Sequence, residues 1–335
     1  MSAPRRANVR AFAKLNLDLR VLGPRPDGYH ELRTVFQTIS LADRIGISFT
    51  PAPATRIEVV AGPVIDDNLV VRAARGVLEA LGRTGVVEFR LEKHIPMGGG
   101  LGGGSSDAAA VLLALPVLAG GSLPMETLLG LAASLGSDVS FFLLGGTALG
   151  LSRGEELYPL PDFGPLTGVL VTSSIHSSTR EAYRALDARL TTELKQNNIV
   201  SFQSRVWAGC GERDSERLPA HGINDFEPWV FEQHPGLRRL RESLEQAGAC
   251  PAMMTGSGSA IFGLFRSRDQ AERAIANLRS ECIDSGGRSS PSNAEISGVI
   301  PVSLVSRSHF RAAWRRSLRA HTDGNVWPPL SRYAQ

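Results

Sequence analysis

Apolar and polar residues alternate along residues 9–21 with little interruption. Val9, Ala11, Ala13, Leu15, Leu17, Leu19 and Val21 fall on one face, and Arg10, Phe12, Lys14, Asn16, Asp18 and Arg20 on the other. A period of two predicts a half-buried strand, with Lys14 and Asn16 on one face about 7 Å apart. Arg25-Pro26-Asp27-Gly28 is turn chemistry, and residues 34–47 predict more strand with a break at Asp43. Leu69, Val70, Ala73, Ala74, Val77 and Leu81 recur at helical spacing, which predicts a helix over 68–81. A strand over 86–91 follows, then a glycine-rich stretch, then a helix over 108–119. That helix is expected to end or kink just before Pro116, because an interior proline costs about 3 kcal/mol.

Further along, residues 125–135 predict an amphipathic helix closed by Gly136. Ser137-Asp138 opens a short apolar turn, and 145–151 and 169–173 read as strands. Residues 185–221 are polar and weakly periodic, a helix plus a variable loop. A helix over 235–247, a strand–turn–strand over 253–265, a helix over 271–282 and a strand over 296–305 complete the ordered pattern. Residues 284–293 form a Gly/Ser/Pro loop, and the chain beyond about 310 reads as a basic helix with a frayed end. The expected division is 1–165, 166–310 and a basic tail over 311–335.

The run Pro96-Met97-Gly98-Gly99-Gly100-Leu101-Gly102-Gly103-Gly104-Ser105-Ser106-Asp107 carries the most information. Glycine loses more backbone freedom on folding than any other residue, so such a cluster needs a geometric reason. A backbone wrapped closely around a ligand and leading into a helix N-terminus suits phosphate. A flexible linker would have polar, unstructured flanks, whereas this run lies between a strand and an apolar helix. No lysine follows Gly104, which excludes the P-loop pattern. Gly98, Gly100 and Gly103 match a dinucleotide fingerprint, but Glu92, Lys93, His94 and Pro96 separate them from the strand that should feed them.

Composition narrows the class without naming a reaction. The chain has 335 residues, is 42% apolar and carries three cysteines without metal-like spacing. That fits a globular, cytoplasmic protein free of disulfides and structural zinc. No apolar run is long enough to span a membrane, and the first strand leaves no room for a leader peptide. A net charge of +3 allows an anionic substrate. No aromatic–basic interleaving marks a nucleic-acid surface.

Three motifs read together resemble the small-molecule kinases named for galactokinase, homoserine kinase, mevalonate kinase and phosphomevalonate kinase. They are the lysine-bearing strand Ala13-Lys14-Leu15-Asn16-Leu17, the glycine loop 96–106, and Thr255-Gly256-Ser257-Gly258-Ser259. Finer wording resembles the branch that acts on 4-diphosphocytidyl-2-C-methyl-D-erythritol. It lies in Arg25-Pro26-Asp27-Gly28-Tyr29-His30, Gly136-Ser137-Asp138-Val139-Ser140-Phe141-Phe142 and Asn224-Asp225-Phe226-Glu227. The resemblance implies an α/β fold of two domains. The first is like ribosomal protein S5 domain 2, the second is ferredoxin-like, and the active site lies in the cleft between them. It further implies ATP-dependent phosphorylation of the 2-hydroxyl of that cytidine-diphosphate-linked methylerythritol, on the non-mevalonate route to isoprenoid precursors.

The same resemblance assigns roles. Asp138 is the general base and Lys14 stabilises charge at the transferring phosphoryl; from the residues alone, an N-cap and a solvated lysine stay open. Pro96, Gly98, Gly99, Gly100, Leu101, Gly102, Gly103, Gly104, Ser105 and Ser106 hold the ATP phosphates, with Asn68 and Lys93 nearby. Mg²⁺ is expected, with Ser105 or Ser106 near it and no protein ligand identified. Asn16 and Thr179 contact the substrate, while Tyr29, His30 and Tyr183 enclose its cytosine. The expected partners are small molecules alone, with no nucleic acid and no membrane, in a monomer or homodimer. Two rivals remain: a kinase of another alcohol such as homoserine or mevalonate, and a non-catalytic RNA-binding protein with an S5-like domain.

Overall fold

The alternation at the N-terminus does produce a strand, β1 (Arg5–Pro24), but the strand is buried on both faces from Ala11 to Val21. In a computed structural model that describes residues 3–164, 166–175, 178–189, 192–210, 222–284 and 296–334, its apolar face packs against a second sheet, while Asn16, Asp18 and Arg20 on its polar face meet Gly256, Arg205 and Asp225. Backbone N–H groups of Asn16, Leu19 and Val21 donate to Thr255 Oγ1, Ile223 O and Asp225 Oδ2. Alternation reports one apolar face and does not show what covers the polar one.

β2 (His30–Pro51) pairs antiparallel with β1 along nearly its whole length. It runs through Asp43 without breaking. What changes near Asp43 is the partner: the first half of β2 pairs with β5 (Thr147–Ser152) and the second half with β4 (Gly85–Glu92). β3 (Arg56–Ala61) and β6 (Glu156–Pro159), neither signalled by periodicity, complete a six-stranded sheet. Helices α1 (Leu69–Leu81), α2 (Gly103–Ala119) and α3 (Met125–Leu135) and the single turn α4 (Phe141–Leu144) accompany it.

α2 does not end before Pro116. It is buried from Ser106 to Ala119, and Pro116, which has no N–H to give to Leu112 O, falls in its last turn, so the helix continues only three residues beyond it. That turn is closed by Gly120 and Gly121, whose N–H groups donate to Val117 O and Pro116 O. Such a left-handed glycine closure supplies the carbonyl partners a helix end needs.

The second sheet has the order β10-β7-β9-β8 with every pair antiparallel. Its strands are β7 (Thr167–Ser173), β8 (Ala252–Met254), β9 (Ile261–Phe265) and β10 (Ile296–Ser303). Between β7 and β8 come α5 (Thr179–Asp187), α6 (Thr192–Cys210), α7 (Glu227–Gln233) and α8 (Pro235–Gln246). α9 (Arg268–Asp284) joins β9 to β10. Numbered from β7, the sheet order is 4-1-3-2 with helical crossovers, a ferredoxin-like arrangement. The predicted 185–221 region is two helices as far as 210; its remainder and most of the 284–293 loop lie outside the described residues.

After β10 the chain returns to the first sheet as α10 (Arg307–Leu318). Phe310, Ala313, Trp314 and Leu318 join the first core, and the end of the chain is packed and not frayed. Ser331 donates to Val117 O, Trp327 to Leu143 O, and the Arg5 guanidinium lies 4.0 Å over the Tyr333 ring. β1 alone feeds three cores. Val9 and Phe12 enter the first, Ala13, Leu15 and Leu17 the one between the sheets, and Leu19 and Val21 the second.

Candidate functional site

Lys14 and Asn16 share a face of β1 as the alternation predicts, despite register shifts on either side of them. Lys14 Nζ donates to Asn16 Oδ1 at 2.6 Å and lies 3.4 Å from Asp138 Oδ2. The lysine side chain is 4% exposed and the aspartate 33%, so the pair is sealed at one end and open at the other. Asp138 caps no helix: the N-cap of α4 is Ser140.

Asn16 is committed on every side. Its Oδ1 also accepts from Gly256 N at 3.1 Å, and its Nδ2 donates to Thr34 Oγ1 at 2.7 Å. Gly256 belongs to the glycine turn between β8 and β9, so the second sheet helps to place a lysine of the first. That turn is in turn held by Asn224, whose Nδ2 donates to Met254 O and Gly256 O, each at 2.8 Å. Glu227 Oε1 accepts from Met254 N at 2.7 Å. Asp225 accepts from Val21 N and Asn198 Nδ2, and burial pushes its carboxyl up to about 6. The Asn224-Asp225-Phe226-Glu227 motif is thus a latch behind the site.

The glycine loop lines a cavity of about 200 Å³ with Lys93, Ile95 and residues 96–104. A second cavity of about 180 Å³ is lined by Lys14, Thr34, Asp138, Arg153, Tyr183 and Ser257, among others. Gly100 and Gly102 line both. The two openings therefore share a wall at the start of α2, where the helix's positive end lies. A side chain at Gly100 would collide with Thr255 O, and one at Gly102 with the Phe142 ring; both have positive φ. Glycine is required here because two chain segments touch.

Other predicted positions have other partners. Ser106 donates to Phe12 O at 2.7 Å and is buried, while Ser105 keeps partial exposure. Asn68 Oδ1 caps α1 by accepting from Val70 N. It also borders an open cavity of about 750 Å³ with Val59, Pro63, Ile65 and Leu131. Lys93 is held by Asp43 and, at 2.6 Å, by Asp107. Burial raises the Asp107 carboxyl, which Lys93 opposes and Asp43 reinforces.

The aromatic group is arranged unevenly. His30 lies flat on Tyr183 at 4.2 Å between ring centroids, and its Nε2 is 2.9 Å from Asp187 Oδ1. Tyr183 meets Phe226 edge-on, and burial together with the Asp138 charge raises its hydroxyl pKa. Tyr29 is half-exposed, outside the lining of the Lys14–Asp138 cavity, under the Arg153 guanidinium at 4.7 Å. Thr179 Oγ1 is 2.7 Å from Ser257 Oγ, which ties α5 to the glycine turn. Sequence reasoning missed Thr34, Arg153 and Phe226. Arg153 follows a strand end in a turn with no motif to mark it.

Two family models match the chain: the GHMP kinases N terminal domain over residues 68–146 and the GHMP kinases C terminal domain over residues 214–284. A protein of Solibacter usitatus named 4-diphosphocytidyl-2-C-methyl-D-erythritol kinase is 56% identical over 337 residues, covering 99% of each chain. The chain belongs to the 4-diphosphocytidyl-2-C-methyl-D-erythritol kinase family. A namesake from Acaryochloris marina is 38% identical over 82% of this chain and 92% of its own. A crystal structure of 4-(cytidine 5'-diphospho)-2C-methyl-D-erythritol kinase superposes with a TM-score of 0.69 at 36% identity, covering 89% of this chain and 98% of that one. Homoserine kinase from Cytophaga hutchinsonii shares the fold alone, with a TM-score of 0.70 at 19% identity over 92% of this chain and 98% of its own. The protein is accordingly an ATP-dependent small-molecule kinase of two-domain α/β architecture. Among the described residues no helix is long and apolar enough to cross a membrane.

Proposed function

We propose that this kinase transfers the terminal phosphoryl group of ATP to the 2-hydroxyl of 4-diphosphocytidyl-2-C-methyl-D-erythritol. The observation that carries the site assignment is the wall shared by the glycine-loop cavity and the Lys14–Asp138 cavity at Gly100 and Gly102. Asp138 takes the hydroxyl proton as the oxygen bonds to the γ-phosphorus and the bond to the β-phosphate oxygen breaks, releasing ADP. Lys14, kept in place by Asn16, balances the charge on the phosphoryl oxygens. Such transfers depend chiefly on positioning and electrostatics.

The loop from Pro96 to Ser106 cradles the triphosphate through its backbone, and the open cavity beside Asn68 has room for the nucleoside. Among the described residues no group of three or more His, Cys, Asp or Glu side chains is arranged to hold a metal. Ser105, the loop hydroxyl that keeps partial exposure, is the side chain that would lie near Mg²⁺, and the ion would offset the charge of the phosphates. Tyr183, His30 and Tyr29 form the cytosine end, and Arg153 is the cation placed for the diphosphate.

The test is ADP release from Mg²⁺-ATP with and without this alcohol, for the wild type and Asp138→Asn. Alcohol-dependent release that collapses in the variant supports both substrate and base. Turnover with homoserine or mevalonate alone keeps the fold and discards the substrate.

A further inference from the structure

Lys93 stands at the end of β4, where the chain leaves the sheet for the glycine loop, and Asp107 stands in the first turn of α2, where the loop ends. The two are 14 residues apart in sequence, and their side chains meet at 2.6 Å. On the other side the same ammonium bonds Asp43 of β2, whose second oxygen accepts the backbone N–H groups of His94 at 2.6 Å and Ile95 at 2.8 Å. Asp43 and Asp107 are 1% and 4% exposed in their side chains, and Lys93 13%. Both ends of the glycine loop are therefore tied to one buried cluster, itself anchored in the middle of the sheet.

Charge argues about its purpose. With all three groups ionised the trio carries a formal charge of −1, so it offers an incoming phosphate no net attraction. An ammonium intended as a phosphate ligand gains nothing from two buried carboxylates that compete for its donors. A fixed loop, by contrast, gains from a three-way tie, since backbone N–H groups bind an anion well only when held in place beforehand. The ammonium itself packs beside the loop: a Cβ at Gly103 would lie 3.4 Å from Nζ.

We propose that Asp43, Lys93 and Asp107 form a brace that holds the glycine loop in its nucleotide-binding shape, with Lys93 as a positioning residue and not a phosphate ligand. The inference rests on the reading of the loop as the ATP phosphate site. Removing either side of the Lys93–Asp107 contact loosens the same loop, so the two losses coincide.

The test is a double-mutant cycle of Lys93→Met, Asp107→Asn and the pair, read as KM for ATP, KM for the alcohol and kcat. A brace predicts that each single variant raises KM for ATP by about tenfold, leaves KM for the alcohol within twofold, and that the pair is no worse than either. If Lys93 grips phosphate directly, Asp107→Asn frees it and ATP binds as tightly or more tightly while Lys93→Met alone weakens. That pattern, or losses that multiply in the pair, overturns the proposal. Asp107→Asn keeps the side-chain shape, so it decides alone should Lys93→Met fail to fold. Calorimetric binding of a non-hydrolysable ATP analogue to the wild type and Asp107→Asn reads the brace even if no alcohol is turned over. A wild type that binds no analogue at all refutes the underlying site and not merely the brace.

Discussion

Lys14 Nζ and Asp138 Oδ2 stand 3.4 Å apart across the mouth of a cavity, one fixed by β1 and the other by the turn before α4. The lysine is held from behind by Asn16, so its position does not depend on the aspartate. Asp138→Asn should therefore keep the geometry and remove the proton acceptor. We expect kcat to fall by about 10²–10⁴-fold with KM for ATP little changed. Lys14→Met should lower kcat by about 10²–10³-fold. Steady-state ADP release measures both; a variant within tenfold of wild type in kcat at either position sinks that residue's role.

Gly100 and Gly256 face each other across the two sheets, a Cβ on Gly256 falling 3.0 Å from Gly100 Cα. Gly100→Ala must place its methyl against Thr255 O at a φ of +73°. The cost is about 1–3 kcal/mol from the backbone alone, and the turn that holds Asn16 must shift. Both KM for ATP and kcat should worsen. Gly130→Ala in α3 is the control: nothing lies within 4 Å of its Cβ. It should stabilise by about 0.5–1 kcal/mol without touching activity. Thermal melts and kinetics on the two variants separate the cases, and a Gly100→Ala enzyme with wild-type values would show that the sheets have room to move.

The residues that carry backbone chemistry announced themselves in the sequence, and those that carry packing did not. The glycine loop, the face shared by Lys14 and Asn16, and the turn before α4 were legible because period, turn type and helix ends are local. The double burial of β1 was not, since Asn16 and Arg20 on its polar face meet Gly256 and Asp225, more than 200 positions away. β3 and β6 were silent because short edge strands carry little alternation. The packing of the last residues onto the first core was hidden for the same reason: arginine-rich α10 reads as solvated until Phe310 and Trp314 are seen buried. Lys93 lines the glycine-loop cavity, but nothing in the sequence pairs it with Asp107, 14 residues on, or with Asp43, 50 residues before it.

Among the described residues, Arg153 and Lys14 are the cations in the lining of the Lys14–Asp138 cavity. An acceptor bearing a diphosphate should feel the loss of the outer one. Arg153→Met is expected to raise KM for the alcohol about tenfold, the scale of one charge-assisted hydrogen bond, and to leave KM for ATP unaltered. Kinetics at low and high salt give a second readout, because the wild-type KM should climb with salt more steeply than the variant's. Equal salt dependence would remove Arg153 from the substrate's path.

Asp225 supplies a pH signature. Burial lifts its carboxyl to about 6, above the unfolded value of about 3.9. Between those values the folded protein binds more protons than the unfolded chain, so this residue's contribution to stability rises as pH falls through that window and declines as pH rises through about 6. Asp225→Asn lacks the titration. The wild type should gain melting temperature relative to the variant on going from pH 7 to pH 5. A difference that is flat or reversed in sign would mean that the carboxyl is ionised throughout.

β1 supplies consecutive stretches of side chains to all three cores. The protein is two units in architecture, but the second has no complete interior of its own, because Leu19 and Val21 come from the first. A chain severed between β6 and β7 would leave the carboxyl half with an unfilled centre and the amino half with an uncovered strand. The two halves must therefore melt together, and the cleft that holds the chemistry cannot open by unfolding one wall alone.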